Sequence, residues 1–184
     1  MLLFEQLCKI CQSIMTIDAL ALSLKKFPYP SLRKKASLVE DFSEMGNVYE
    51  HMLAIMYEND GIGLAANQVG LLQRCFVMDL SENKSEPVFI INPEIINKSD
   101  SKQSIKEGCL SLPGLYHDVS RPKTILLRYI NLEEKICERE FTGLASSCVQ
   151  HEIDHLDGIL FPDRILPTKQ AALWKKYLAS VKKS

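Results

Sequence analysis

No stretch of eighteen consecutive apolar residues occurs in the 184-residue chain, so no membrane-spanning helix is expected. No segment repeats and no low-complexity tract appears, which excludes solenoids and arrays. Neither sign of charge is in excess: the formal net charge is −1 with 24% charged residues. Such a near-neutral surface has no bulk attraction for nucleic acids or membranes, and any charged contact must be local. Arginine is missing from the first twenty residues, and Glu5 precedes any lysine. With no small-residue cleavage site following, these features predict neither a secretory signal nor an organellar transit peptide. Histidine is scarce, with four in all, and beyond Asp163 there is no Asp, Glu, His or Cys.

What is present is enough for one core. At 46% hydrophobic residues the chain can bury a sizeable interior but is too short for two ordinary domains. Its six cysteines are not needed as disulfide staples, so they read as reduced thiols in a cytoplasmic protein. Cys8-x-x-Cys11 has no second pair at finger spacing and no strand–helix setting. Residues 1–20 therefore read as a frayed or helical extension, and residues 21–184 as the single domain.

The pattern predicts an α+β fold. Leu38, Phe42, Met45, Tyr49, Met52 and Met56 step by three and four, one face of a helix ending at Asn59-Asp60-Gly61. The period then changes: Arg74 to Leu80, Pro87 to Ile91, Lys123 to Ile130 and Lys135 to Phe141 read as strands. The last two flank the four residues from Asn131 to Glu134, a hairpin connection, so the sheets should be mixed but largely antiparallel. They are expected to pack around a central helix from Gly143 to Asp157, with Thr142 as N-cap and Gly158 as stop. A C-terminal helix from about Thr168 to Val181 follows, with Ala171, Trp174, Leu178 and Val181 on one stripe.

The central helix carries the chemistry. In His151-Glu152-Ile153-Asp154-His155 the two imidazoles stand one above the other on a helix and can reach a single cation. A chance His-Glu-x-x-His has a likelihood on the order of 0.6% in a chain of this composition, so the match is specific. Glu152 lies about 100° round the helix from His151, close to the metal without being an obvious ligand. Leu144, Cys148, His151 and His155 continue one inward stripe, which predicts a buried metal.

A catalytic site wants a third protein ligand and an open position. In the extended pattern His-Glu-x-x-His-x-x-Gly-x-x-His the last position is Phe161, and nothing downstream of Asp163 can bind metal. The ligand must lie upstream, among His51, His117 and the cysteines. Cys75, Cys137 and Cys148 look like small core residues. Cys109 stands in the loop Glu107-Gly108-Cys109-Leu110-Ser111-Leu112-Pro113-Gly114, and spacing alone leaves it an open candidate. A third feature, Gly61-Ile62-Gly63-Leu64-Ala65-Ala66-Asn67-Gln68-Val69-Gly70, exposes backbone and ends near a lone amide. It lacks the spacing and lysine of a phosphate-binding loop.

Gly61 to Gln68, Glu107 to Ser111 and His151 to His155, in this order, resemble the three signature motifs of peptide deformylases. The likeness extends in looser form from about Phe27 to the carboxyl terminus. It implies a hydrolase that removes the formyl group from the N-terminal formylmethionine of new polypeptides and releases formate. It further implies Cys109, His151 and His155 as ligands of one Fe²⁺, with Zn²⁺, Ni²⁺ or Co²⁺ as substitutes. Hydroxide generated at the metal would attack the formyl carbon, with Glu152 as general base and acid. Gln68 and the Leu110 amide would be oxyanion donors. Ile62, Gly63 and Gly108 match positions that pair with the peptide backbone, and Ile62, Leu144 and Cys148 are expected to line a slot for the methionine side chain. Asn67 stands where the family often has proline, a change expected to affect loop stiffness. Asp154 and Arg121 read equally as a charge network beside the metal or as surface ions, and stay outside the site.

The resemblance also bears on partners. Lys169, Lys175, Lys176, Lys182 and Lys183 give the tail a local charge of +5. A solvated helix face is the plain reading; docking on the ribosome near the exit tunnel is the reading the family implies. Nascent formylmethionyl peptides are the expected substrates, no membrane partner is expected, and the chain should act as a monomer. A metallopeptidase and a protein with a structural zinc are the competing classes. The missing downstream ligands count against the first, and the idle Glu152 against the second.

Overall fold

The computed structural model describes residues 22–181. The Cys8-x-x-Cys11 pair, the extension 1–20, Lys182 and Lys183 lie outside it, as does the side chain of Val181. Among the described residues seven strands and three longer helices follow one another: α1 (Met45–Glu58), β1 (Gly63–Ala65), β2 (Cys75–Met78), β3 (Val88–Lys98), β4 (Lys102–Gly108), β5 (Tyr116–Pro122), β6 (Thr124–Ile130), β7 (Ile136–Thr142), α2 (Gly143–Leu156) and α3 (Pro167–Val181). Five strands form one sheet in the order β1-β2-β3-β6-β7, and β4 and β5 form a second. All strand pairs are antiparallel; an isolated bridge between Ser37 and Gln73 is the parallel element. Among the described residues no helix is long and apolar enough to cross a membrane.

The five-stranded sheet is covered on both faces, which explains why β2 is buried at every position. Side chains alternate along a strand, so Phe76, Met78 and Ile90 enter the core beneath α2 with Val149 and Leu156. Their neighbours Cys75, Val77, Phe89 and Ile91 enter the opposite core, beneath Val48, Met52 and Met56 of α1. Each such fully buried side chain contributes about 1.5–3 kcal/mol by leaving water. A third cluster joins Leu112, Leu115 and Val119 to Leu160, Phe161 and Tyr177, fastening α3 to the small sheet.

Several boundaries differ from the sequence pattern. The first helix begins at Met45 rather than Leu38, because Asn92 grips the backbone of Val39 at both N–H and C=O, 2.9 Å each, and holds that segment extended. β3 runs to Lys98 through a register shift between Ile91 and Glu94, where Asn92 has a φ of 50°. Strands β1, β4 and β5 carry no long apolar run and were not expected. Thr142 makes no capping hydrogen bond with its side chain; its hydroxyl instead accepts from that of Thr124 at 3.3 Å.

On α3 the inward face is Leu173, Trp174 and Tyr177 rather than the stripe through Ala171 and Leu178. Trp174 and Tyr177 turn toward Phe27, with ring centroids 4.8 and 6.4 Å away. Gly158 ends the turn after α2 with a φ of 74°, and a Cβ there would lie 2.8 Å from the Arg33 carbonyl oxygen. Only glycine meets both demands.

Candidate metal centre

The helix α2 lies against β1, β5, β7 and the short 3-10 turn Ala66–Val69, and this places the three motifs around one point. His151 and His155 face the same way, with ring centroids 5.0 Å apart. Cys109 follows directly on the end of β4, and its Sγ lies 3.1 Å from Nε2 of His155. One donor atom from each of Cys109, His151 and His155 lies within 4.8 Å of the others. The alternatives are elsewhere. His51 is exposed on α1 with Nδ1 at 2.7 Å from the Asn47 carbonyl, and Nδ1 of His117 lies 2.8 Å from the Asp118 carbonyl.

Alternation along β4 turns Glu107 inward, where two partners hold it. Its Oε2 lies 2.9 Å from Nδ1 of His151, and Arg121 donates to Oε1 at 2.6 Å and Oε2 at 3.0 Å. The same guanidinium donates to Asp154 Oδ2 at 2.8 Å. Asp154 in turn accepts from Arg164 at 3.0 Å and through a second, shorter bond. Glu107, Arg121 and Asp154 are all buried, so they are a charge network beneath the histidines rather than surface ions.

The electrostatics follow from this arrangement. Burial opposes ionisation of Glu107, but bonds from His151 and Arg121 outweigh it and keep its pKa below the usual value. Burial likewise opposes the charged Arg121, and Glu107 with Asp154 hold it protonated. His151 is buried too, yet Cys109 and Glu107 raise its pKa well above normal. Burial and the charge on His151 push His155 well below. The cluster of one thiol and two imidazoles thus has the carboxylates of Glu107 and Glu152 beside it. That donor set fits a divalent cation of borderline softness.

Glu152 stands next to this cluster, 3% exposed, with Oε2 buried and unpartnered. Burial pushes its carboxyl up to about 7, against the pull of the charge on His151. Gly63 makes room for it: a Cβ there would overlap Glu152 Oε1 and lie 2.9 Å from Cys148 Sγ. Across the site, Gln68 is fixed by its own turn. Its Oε1 accepts from the Ala65 N–H at 2.8 Å, and Nε2 donates to Ser111 Oγ at 3.1 Å and toward Cys109 Sγ at 3.6 Å.

A cavity of about 280 Å³ opens onto these groups. Its wall includes Gln68, Cys109, Leu110, His151 and Glu152, and also Ile62, Gly63, Gly108, Leu144 and Cys148. His155 lies behind this wall at 1% exposure. Leu144 is half exposed and so does not share the buried stripe expected of it, while Ile62 is 46% exposed. Burial raises the Cys148 thiol well above its ordinary pKa, so it lines the wall as a neutral group.

The match to a family model, described as polypeptide deformylase, covers residues 21–171. The chain belongs to that family. It is therefore a hydrolase, and the fold agrees. A peptide deformylase of Thermotoga neapolitana is 42% identical over 156 residues, covering 84% of this chain and 93% of that one. The structure of a peptide deformylase from Thermus thermophilus superposes with a TM-score of 0.82 at 39% identity, covering 89% and 96% of the two chains. One from Synechococcus elongatus, solved in complex with actinonin, superposes with a TM-score of 0.79 at 38% identity, covering 85% and 88%.

Sequence reasoning assigned no role to Glu107 or Tyr116, and left Arg121 and Asp154 open between a charge network and surface ions. The first stands inside the Glu107-to-Ser111 motif and was legible only as its flank. Alternation along β4 and β5 would have placed Glu107 and Arg121 on one face, had those strands been recognised.

Proposed function

We propose that the chain removes the formyl group from the N-terminal formylmethionine of newly made polypeptides, holding one divalent metal ion with Cys109, His151 and His155. The observation that carries this reading is the gathering of those three donors beside Glu152, which lines the same cavity as Gln68 and keeps one carboxylate oxygen without a partner. Fe²⁺ is the metal of the proposal, with Zn²⁺, Ni²⁺ and Co²⁺ able to take the same donors. When bound, the cation supplies Lewis acidity that polarises the formyl carbonyl and lowers the pKa of water.

The chain's own residues supply the rest. Glu152 takes a proton from the water whose oxygen adds to the formyl carbon, and returns it to the amine nitrogen as the C–N bond breaks. Gln68 Nε2, giving up its long contact with Cys109 Sγ, and the Leu110 N–H donate to the oxygen that gains negative charge. Gly63 and Gly108 offer backbone to an extended peptide, which is sequence-tolerant. Ile62, Leu144 and Cys148 line an apolar slot for the methionine side chain. Formate and the free amino terminus leave.

Residues 21–184 form the catalytic domain of this reading, acting as a cytoplasmic monomer, and residues 1–20 an extension. Lys169, Lys175 and Lys176 are exposed on α3 and give the ribosome a basic face to hold near the exit tunnel. The test is anaerobic metal analysis joined to a formate assay. One metal per chain and one formate per formyl-Met peptide are expected, with no internal cleavage. Internal amide hydrolysis without formate would overturn the reading.

A further inference from the structure

A second cavity of about 280 Å³ lies beside the first and shares two of its residues, Lys106 and Tyr116. The shared wall is a fixed ridge. Gly108 and Tyr116 face each other across β4 and β5, and the tyrosine ring lies so close that a Cβ on Gly108 would overlap it. Lys106, two residues back on the same face of β4, holds its Nζ 5.6 Å from the centre of that ring. Asp118 is its partner in register, yet the two form no ion pair, and none involves Lys106 or Lys176 among the described residues. Beyond the ridge, Leu115 gives an apolar floor, and Leu173, Lys176 and Tyr177 of α3 form the far wall.

The lining therefore contains two exposed ammonium groups, no carboxylate, and an apolar base. That chemistry fits a short aliphatic stem ending in an anion. The ridge is common to the cavity that holds the formylmethionine in the function proposed above. An extended chain advances about 3.3 Å per residue, so the residues just past the methionine are the ones that meet the neighbouring cavity.

We propose, resting on that function, that this second cavity is a subsite for an acidic side chain of the substrate, Asp or Glu at the third or fourth residue. Lys106 and Lys176 recognise the carboxylate, and Tyr116 separates it from the methionine slot.

The test compares formyl-Met-Ala-Xaa-Ala and formyl-Met-Ala-Ala-Xaa peptides, amidated at the carboxyl terminus, with Xaa as Glu, Ala or Lys, on the metal-loaded full chain. At one of the two positions Glu should exceed Lys in kcat/KM by about three- to tenfold, the range for two exposed charge pairs, with the difference in KM. The ratio should shrink as salt rises, since exposed charges are screened. Lys176→Glu should reverse it, and a ratio taken within one variant is unaffected by metal loading or partial unfolding. Equal rates for all peptides would overturn the subsite and leave deformylation standing. No formate from any peptide would overturn both. A Lys176→Glu variant that keeps the Glu-over-Lys ratio would end the proposal.

Discussion

Nδ1 of His151 lies 2.9 Å from Oε2 of Glu107, a carboxylate that Arg121 grips from its other side. This contact fixes the imidazole's orientation, so that Nε2 is the nitrogen left for a metal, and makes it more basic. Removing it should loosen the ring without removing a donor. Glu107→Ala is expected to weaken metal binding about 10- to 100-fold, read by competition with a chelator of known affinity. An unchanged affinity would mean that packing alone orients His151.

Arg121 is the next element of the same network, 4% exposed between Glu107 and Asp154. Arg121→Met would leave Glu107 to His151 and Asp154 to Arg164 alone, and breaking such a buried pair costs about 3–5 kcal/mol. Arg164 also grips Asp154, but its side chain is 45% exposed, so Arg164→Met should cost much less. Denaturant titration of the two metal-free variants checks the order. Equal losses would contradict the burial argument.

Two glycines make opposite predictions. A Cβ on Gly63 would collide with Glu152, so Gly63→Ala should displace the carboxylate and lower kcat by at least about 100-fold while metal content holds. At Gly46, near the start of α1, a Cβ meets nothing within 4 Å. Gly46→Ala should therefore stabilise the protein by about 0.5–1 kcal/mol, with activity unchanged. Paired measurements of kcat and melting temperature separate the two cases.

The difference between what the sequence revealed and what it hid has a physical basis. His151 and His155 were legible because a helix repeats every 3.6 residues, and the β6–β7 hairpin because an apolar β6 and a run carrying Ile136, Cys137 and Phe141 flank a short turn. Strand β4 was hidden because Lys102, Ser104 and Lys106 alternate with Gln103, Ile105 and Glu107, a pattern too polar to signal a strand. With β4 unseen, Glu107 and Arg121 could not be placed on one face, and their burial had no signature. Charged residues look alike in sequence whether they sit in water or beneath a metal site.

Asn67 gives the sharpest instance. It is fully buried, and its side-chain amide donates to the carbonyl of His155 while its backbone carbonyl accepts from Ser31 Oγ at 2.7 Å. Where stiffness of the loop was expected to be at stake, this side chain ties the turn that carries Gln68 to the helix that carries both histidines. The His155 carbonyl also accepts from the Gly158 N–H at 2.9 Å, so loss of the amide leaves it one donor. Asn67→Ala should therefore cost only about 1–3 kcal/mol of stability, yet lower kcat several-fold with metal content intact, because Gln68 loses its fixed relation to the site. Stopped assays on metal-loaded protein, with melting curves alongside, measure both effects. A stability loss with kcat unchanged would reduce Asn67 to a packing residue and leave the placement of Gln68 to its own hydrogen bonds with Ala65 and Ser111.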